Sequence, residues 1–136
     1  MGSRRRGRIL AMQALYSWDV THQEEGSLGK FPWLDSSSDD QETLDFARLL
    51  LHGTLEELPS VDEAIKRHLS NWDISRLAKV DLAILRLSAY CILYQQEIPD
   101  SVTIDEAIDI AKEFSSDDAY RFVNGVLDGL RKELRQ

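Results

Sequence analysis

Between Leu77 and Tyr94 the chain is apolar on nearly all sides. Leu77, Val80, Leu82, Ile84, Leu85, Leu87, Ala89 and Ile92 recur at spacings that wrap around a helix rather than line one face of it. Such a helix is stable only where other elements cover it, so this segment predicts the buried centre of its fold. Its longest unbroken apolar run, Ala89 to Tyr94, is far shorter than the roughly 20 residues a membrane span needs. Arg86 lies inside the segment, and a buried guanidinium demands a carboxylate or carbonyl partner.

The neighbouring segments carry helical rather than alternating periodicity. Ile9, Met12 and Tyr16 share one face of a helix from about Arg4 to Val20. Phe46, Leu50 and Leu51 point inward from a helix over Asp40 to Leu58, which Pro59 is expected to end. Ser60 with Glu63, and Thr103 with Glu106, have capping-box spacing and predict two further helix starts. The first of these helices runs through Ile65 and Leu69. Ile98-Pro99 breaks the chain ahead of the second, which carries Ala107, Ile108, Ala111 and Phe114. Ser115 to Asp118 opens a last helix striped by Val123, Val126, Leu127, Leu130 and Leu134. Gly125 and Gly129 sit in that helix despite a cost of about 1 kcal/mol each, and close helix packing is their expected role. Residues 21–43 read as a loop or insertion, with Phe31, Trp33 and Leu34 expected to tack it onto the body. The expectation is an all-α fold of six or seven helices in one domain over residues 1–136.

Composition narrows the function. The net charge is −8, which taken alone points away from nucleic acid, yet its distribution points the other way. Arg4, Arg5, Arg6 and Arg8 precede the first acid, Asp19, and the rest of the chain holds twelve basic against 24 acidic residues. A basic arm on an acidic body can mark a nucleic-acid partner. Helix geometry does not explain the arm, because a helix dipole disfavours cations in the first turn. A solubilising, frayed terminus is the other reading.

No catalytic or metal centre is signalled. His22, His52 and His68 lack a second His or Cys at ligand spacing. Asp105, Glu106, Asp109 and Glu113 surround Lys112 as a solvated acidic face with local ion pairs. There is neither a phosphate-cradling glycine loop nor a nucleophile elbow, so no enzyme and no cofactor are expected. Cys91 alone forms no internal disulfide and reads as a packed thiol. With no signal-peptide pattern, and Arg6 where a myristoylation start needs Ser or Thr, the expected location is cytoplasmic. Asp118 and Phe122, four apart on the last helix, admit two readings: packing plus a helix-terminal charge, or a stacking platform for an unpaired base with a carboxylate accepting from its edge.

Arg4-Arg5-Arg6-Gly7-Arg8 followed by Gln13-Ala14-Leu15-Tyr16 resembles the opening of the bacterial antitermination family NusB. Val80 to Leu87 with Tyr90 resembles that family's central helix. Val102 to Ala107, Ala111 to Phe114 and Phe122 to Asp128 resemble its C-terminal signature. The resemblance implies a NusB-like bundle in two subdomains and a non-enzymatic factor. It implies binding of single-stranded boxA RNA in ribosomal RNA leaders together with a small-subunit ribosomal protein, NusE. RNA polymerase and other Nus factors would be indirect partners, and rRNA synthesis the process served. By this resemblance Arg4, Arg5, Arg6 and Arg8 contact phosphates, and Tyr16, Phe114, Asp118 and Phe122 lie on the RNA path. The ribosomal protein docks around Arg76 to Asp81. Asn124 reads as a structural residue on the buried side. Monomer and homodimer both stay open. The chain departs from the family at Leu82, Cys91, Asp105 and Ser115, and Leu82 and Ser115 bear on partner surface and turn geometry. The competing reading is an acidic helical protein–protein adaptor with no RNA role of its own.

Overall fold

The computed structural model describes residues 2–34, 39–70 and 73–135, which form seven α-helices and one 3-10 turn with no strand among them. The helices are α1 Ser3–Thr21, α2 Glu25–Leu28, α3 Gln41–Glu56, α4 Leu58–Lys66, α5 Lys79–Tyr94, α6 Asp100–Phe114 and α7 Ala119–Leu134, with the 3-10 turn at Ile74–Arg76. The segment apolar on all sides becomes α5. Every residue from Leu82 to Ile92 is buried, and α5 packs against α1, α3, α4, α6 and α7. On one side α1 pairs with α3, and on the other α6 pairs with α7. One continuous core runs through both groups, from Leu10 and Leu50 to Leu85 and Leu127.

Arg86 meets the partner its burial demands. Its Nε and Nη2 donate to the two carboxylate oxygens of Asp62 at 2.9 and 3.0 Å. Its Nη1 lies 3.5 Å from Asp19 Oδ2, which also stands 3.4 Å from Lys79 Nζ. These two Asp19 contacts are ion pairs without hydrogen-bond geometry. The guanidinium also rests over the Trp18 ring.

Three local expectations need correction. Neither capping box caps a helix. Pro59 sits in the first turn of α4, after α3 has already ended at Glu56, and α6 starts at Asp100 behind Pro99. Proline has a preset φ and no N–H to leave unsatisfied, so it opens a helix as readily as it closes one. Ser60 and Thr103 therefore fall inside helices, with the Thr103 hydroxyl buried and unpartnered. The glycine expectation is half right. A Cβ at Gly129 would stand 2.8 Å from the His68 ring, but Gly125 faces open space. The tightest helix approach is elsewhere, at Gly53, where a Cβ would lie 2.2 Å from Tyr90. Asn124 is exposed rather than buried, because α7 turns it away from the Val123 stripe.

Residues 21–43 include the short helix α2, and residues 35–38 of this stretch lie outside the described residues. Phe31 and Leu28 enter the core, and Leu34 packs at its edge. Trp33 remains partly exposed and ties the segment to α1 by an indole N–H donated to Gln13. Asp40 accepts from the Thr43 amide at 2.9 Å and caps α3.

Cys91 is buried, and burial pushes its thiol up to about 12. The thiolate is the nucleophile, so Cys91 in the native protein should resist alkylation at pH 8 and react fully once the protein is unfolded. Rapid labelling without denaturant would contradict the burial.

Candidate nucleic-acid interface

The arginines are the first turns of α1, not a free tail. Helix α1 has no acid in its first turn and no side-chain cap, so its N-terminal charge must be met from elsewhere. Arg5 donates from Nε to Glu106 at 2.7 Å and from Nη2 to Asp109 at 2.6 Å, both on the acidic face of α6. The hydrogen bond to Glu106 raises the Arg5 pKa. Arg6 grips Asp39 with two bonds of 2.9 and 3.2 Å. Arg4 lies over the Phe46 ring at 4.2 Å and is otherwise exposed. Arg8 lies over the same ring at 5.4 Å but is only 6% exposed, with its Nε unpartnered. Burial lowers its pKa.

These placements sort the four arginines. Arg4 presents a cation directly. Arg5 and Arg6 are held by carboxylates in partly exposed pairs, with 37% and 30% of their side chains accessible. The Arg5–Asp109 contact is the exposed one and is worth about 0–1 kcal/mol, whereas Glu106 and Asp39 are more covered and hold their arginines more firmly. Arg8 belongs to the interior.

Two grooves flank the start of α5 and the turn between α6 and α7. The first, of about 260 Å³, has Met12 and Val80 among its lining residues and Tyr16, Trp33 and Phe114 as its aromatic walls. The second, of about 400 Å³, brings together Arg76, Asp81, Asp118 and Phe122. The turn itself is pinned, since Ser115 Oγ donates to Asp81 at 2.5 Å. Asp118 sits at the α7 N-cap position without capping it, and its carboxylate makes no hydrogen bond to the described residues. Phe122 is half-buried, with part of its ring packed on the core. Leu82, one of the departures noted above, is buried and adds nothing to the surface.

Arg76 and Asp81, expected to meet a protein, therefore share a groove with Asp118 and Phe122, expected to meet RNA. Tyr16 and Phe114 line the other groove. Sequence reasoning missed Trp33 as a wall of that groove. Its distance in the chain from Phe114 hides the contact, and an apolar triplet in a loop carries no periodicity to say which member stays outside.

The NusB family model matches residues 5–132 of the chain. The transcription antitermination protein NusB of Treponema pallidum strain Nichols is 50% identical over 130 residues, covering 95% of this chain and 92% of that protein. This chain belongs to the NusB family. The NusB structure from T. maritima superposes with a TM-score of 0.86 at 39% identity, over 96% of this chain and 91% of that one. A second NusB structure matches with a TM-score of 0.84 at 25% identity, over 98% of each chain. That structure holds the antitermination factors NusB and NusE in complex with double-stranded RNA. The all-α architecture is thus the NusB fold, and the stretches that resembled the family become α1, α5, α6 and α7.

Proposed function

We propose that this chain is an RNA-binding antitermination factor that engages the boxA element of ribosomal RNA leader transcripts jointly with the ribosomal protein NusE. The observation that carries the reading is the groove walled by Tyr16, Trp33 and Phe114 and the neighbouring one that holds Asp118 and Phe122, on either side of the α6–α7 turn, with the partly exposed Arg4, Arg5 and Arg6 at the start of α1. Single-stranded RNA is recognised by this combination: splayed bases stack on aromatic rings, their edges bond to polar side chains, and phosphates meet arginine. Asp118 offers acceptors for a base edge and Phe122 a stacking face. Arg4, Arg5 and Arg6 are positioned for phosphates, whereas Arg8 supports them from below. The acidic body suits a basic ribosomal protein, with Arg76 and Asp81 marking the docking side. The aromatic and charged chemistry serves binding and calls for no catalysed step.

RNA binding measured with and without NusE, using boxA and scrambled oligonucleotides, tests this directly. Preferential binding of boxA, strengthened by NusE, is expected. Capture of NusE after nuclease treatment, with no RNA binding under any condition, would replace this reading with the protein–protein adaptor. The salt dependence gives a second check. Contact with three or four phosphates predicts a log–log slope of about −2 to −3. Replacing Arg4, Arg5 and Arg6 together by Ala should flatten the slope towards zero without unfolding the protein. An unchanged slope would remove the arginines from the interface. Arg8 is left out of this variant because its loss would test packing instead.

A further inference from the structure

Trp33 is built to stay outside. Among the described residues seven large hydrophobics are exposed, and three of them, Tyr16, Trp33 and Phe114, converge on the first groove. Trp33 comes from the loop segment that the family resemblance leaves out, yet the chain holds it firmly. Its indole N–H donates to Gln13 Oε1 at 3.2 Å, and its ring meets Phe31 edge-on at 5.6 Å and 89°. Phe31 is 2% exposed and has a φ of 50°, a left-handed conformation uncommon outside glycine. Arg48 reinforces this anchor by stacking over the Phe31 ring and donating to the Gly29 carbonyl at 2.7 Å. An indole kept exposed by this much supporting structure is a presented surface.

We propose that Trp33 is a recognition residue of this chain that stacks an unpaired RNA base in the groove shared with Tyr16 and Phe114. The proposal rests on the RNA reading above and adds to it a residue from the loop segment. Three features favour a nucleobase as occupant. The groove is mainly apolar, and Gln13 and Ser17 supply its polar groups. Because Gln13 Oε1 accepts from the indole, its amide NH2 is left as a donor for a base edge. The two grooves are also neighbours in the chain, since Val80 and Phe114 line the first while Asp81 and Ser116 line the second. Arg6, seven residues before Gln13 on the same face of α1, is the cation that a phosphate beyond the groove would meet.

The test compares the affinity of a boxA oligoribonucleotide for the wild type, Trp33→Ala, Trp33→Phe and Phe122→Ala, with each variant's fold checked by thermal melting. Trp33→Ala should bind roughly 5- to 150-fold more weakly, the span measured for single base–aromatic stacks, and Trp33→Phe should recover most of that. RNA carrying 5-bromouridine should crosslink to the wild-type peptide that contains Trp33, a readout that needs no variant. If Phe122→Ala weakens binding while Trp33→Ala does not, the Trp33 assignment falls and the wider RNA reading stands. Tighter binding by Trp33→Ala would overturn the proposal in favour of a loop that covers the site. Unchanged RNA binding with reduced NusE capture would overturn it in favour of a protein-docking groove. Failure of the wild type to bind RNA would overturn both readings.

Discussion

Arg86→Ala should destabilise the fold by about 3–5 kcal/mol, the usual cost of removing one member of a buried ion pair. The guanidinium is held on two sides, by a two-bond grip from Asp62 of α4 and by Asp19 of α1, with the Trp18 ring alongside. Removing it strands Asp62 beside the core, leaves Asp19 with Lys79 alone, and loosens α5 from α1 and α4 together. Domains of this kind have only about 5–15 kcal/mol in total, so the urea midpoint should fall steeply while the m-value stays put. The double change Arg86→Met with Asp62→Leu should recover a large part of the loss, because a well-packed apolar pair replaces an ion pair at little net cost. A single-variant loss below about 1 kcal/mol would mean that water reaches the cluster and that it is an ordinary surface pair.

Phe122→Ala should weaken binding of single-stranded boxA RNA by about 1–3 kcal/mol, or roughly 5- to 150-fold. The ring is half in the core and half in the second groove, so the variant will also lose some stability. The two effects separate when the dissociation constant is measured well below the variant's melting temperature, with the active fraction titrated. Weaker affinity in a fully folded variant places a base on the ring. A lowered melting temperature with unchanged affinity makes Phe122 a packing residue only. Asp118→Asn is the informative companion, since it keeps the shape and removes the charge that a base edge would meet.

The architecture was legible because α5 announces itself. An all-round apolar helix has to be central, and its one internal charge has to be paired, as Arg86 is with Asp62 and Asp19. The helix starts were harder to place, since Pro59 and Pro99 outrank the nearby Ser60 and Thr103 as initiators and a four-residue spacing cannot show which wins. The Gly53–Tyr90 approach was invisible, because nothing local says that a residue on α3 faces a tyrosine on α5. At the site, the residue types were legible and their grouping was not. Residues 5 and 106 lie a hundred positions apart, and only the fold reveals that Arg5 is already spoken for by Glu106 and Asp109. The same holds for Trp33, whose partners Tyr16 and Phe114 come from either end of the chain.

If Arg5 and Arg6 meet phosphates, as proposed above, the carboxylates that hold them make the protein its own decoy. Glu106, Asp109 and Asp39 already occupy the guanidiniums of Arg5 and Arg6, so among Arg4, Arg5 and Arg6 only Arg4 is open to a stray polyanion. A strand that only brings phosphates must displace these acids for small gain. A strand that also fills the aromatic grooves can do so and stay. Selectivity would then be enforced before any base is read, by an internal competitor that every RNA meets and that only a well-fitting one displaces.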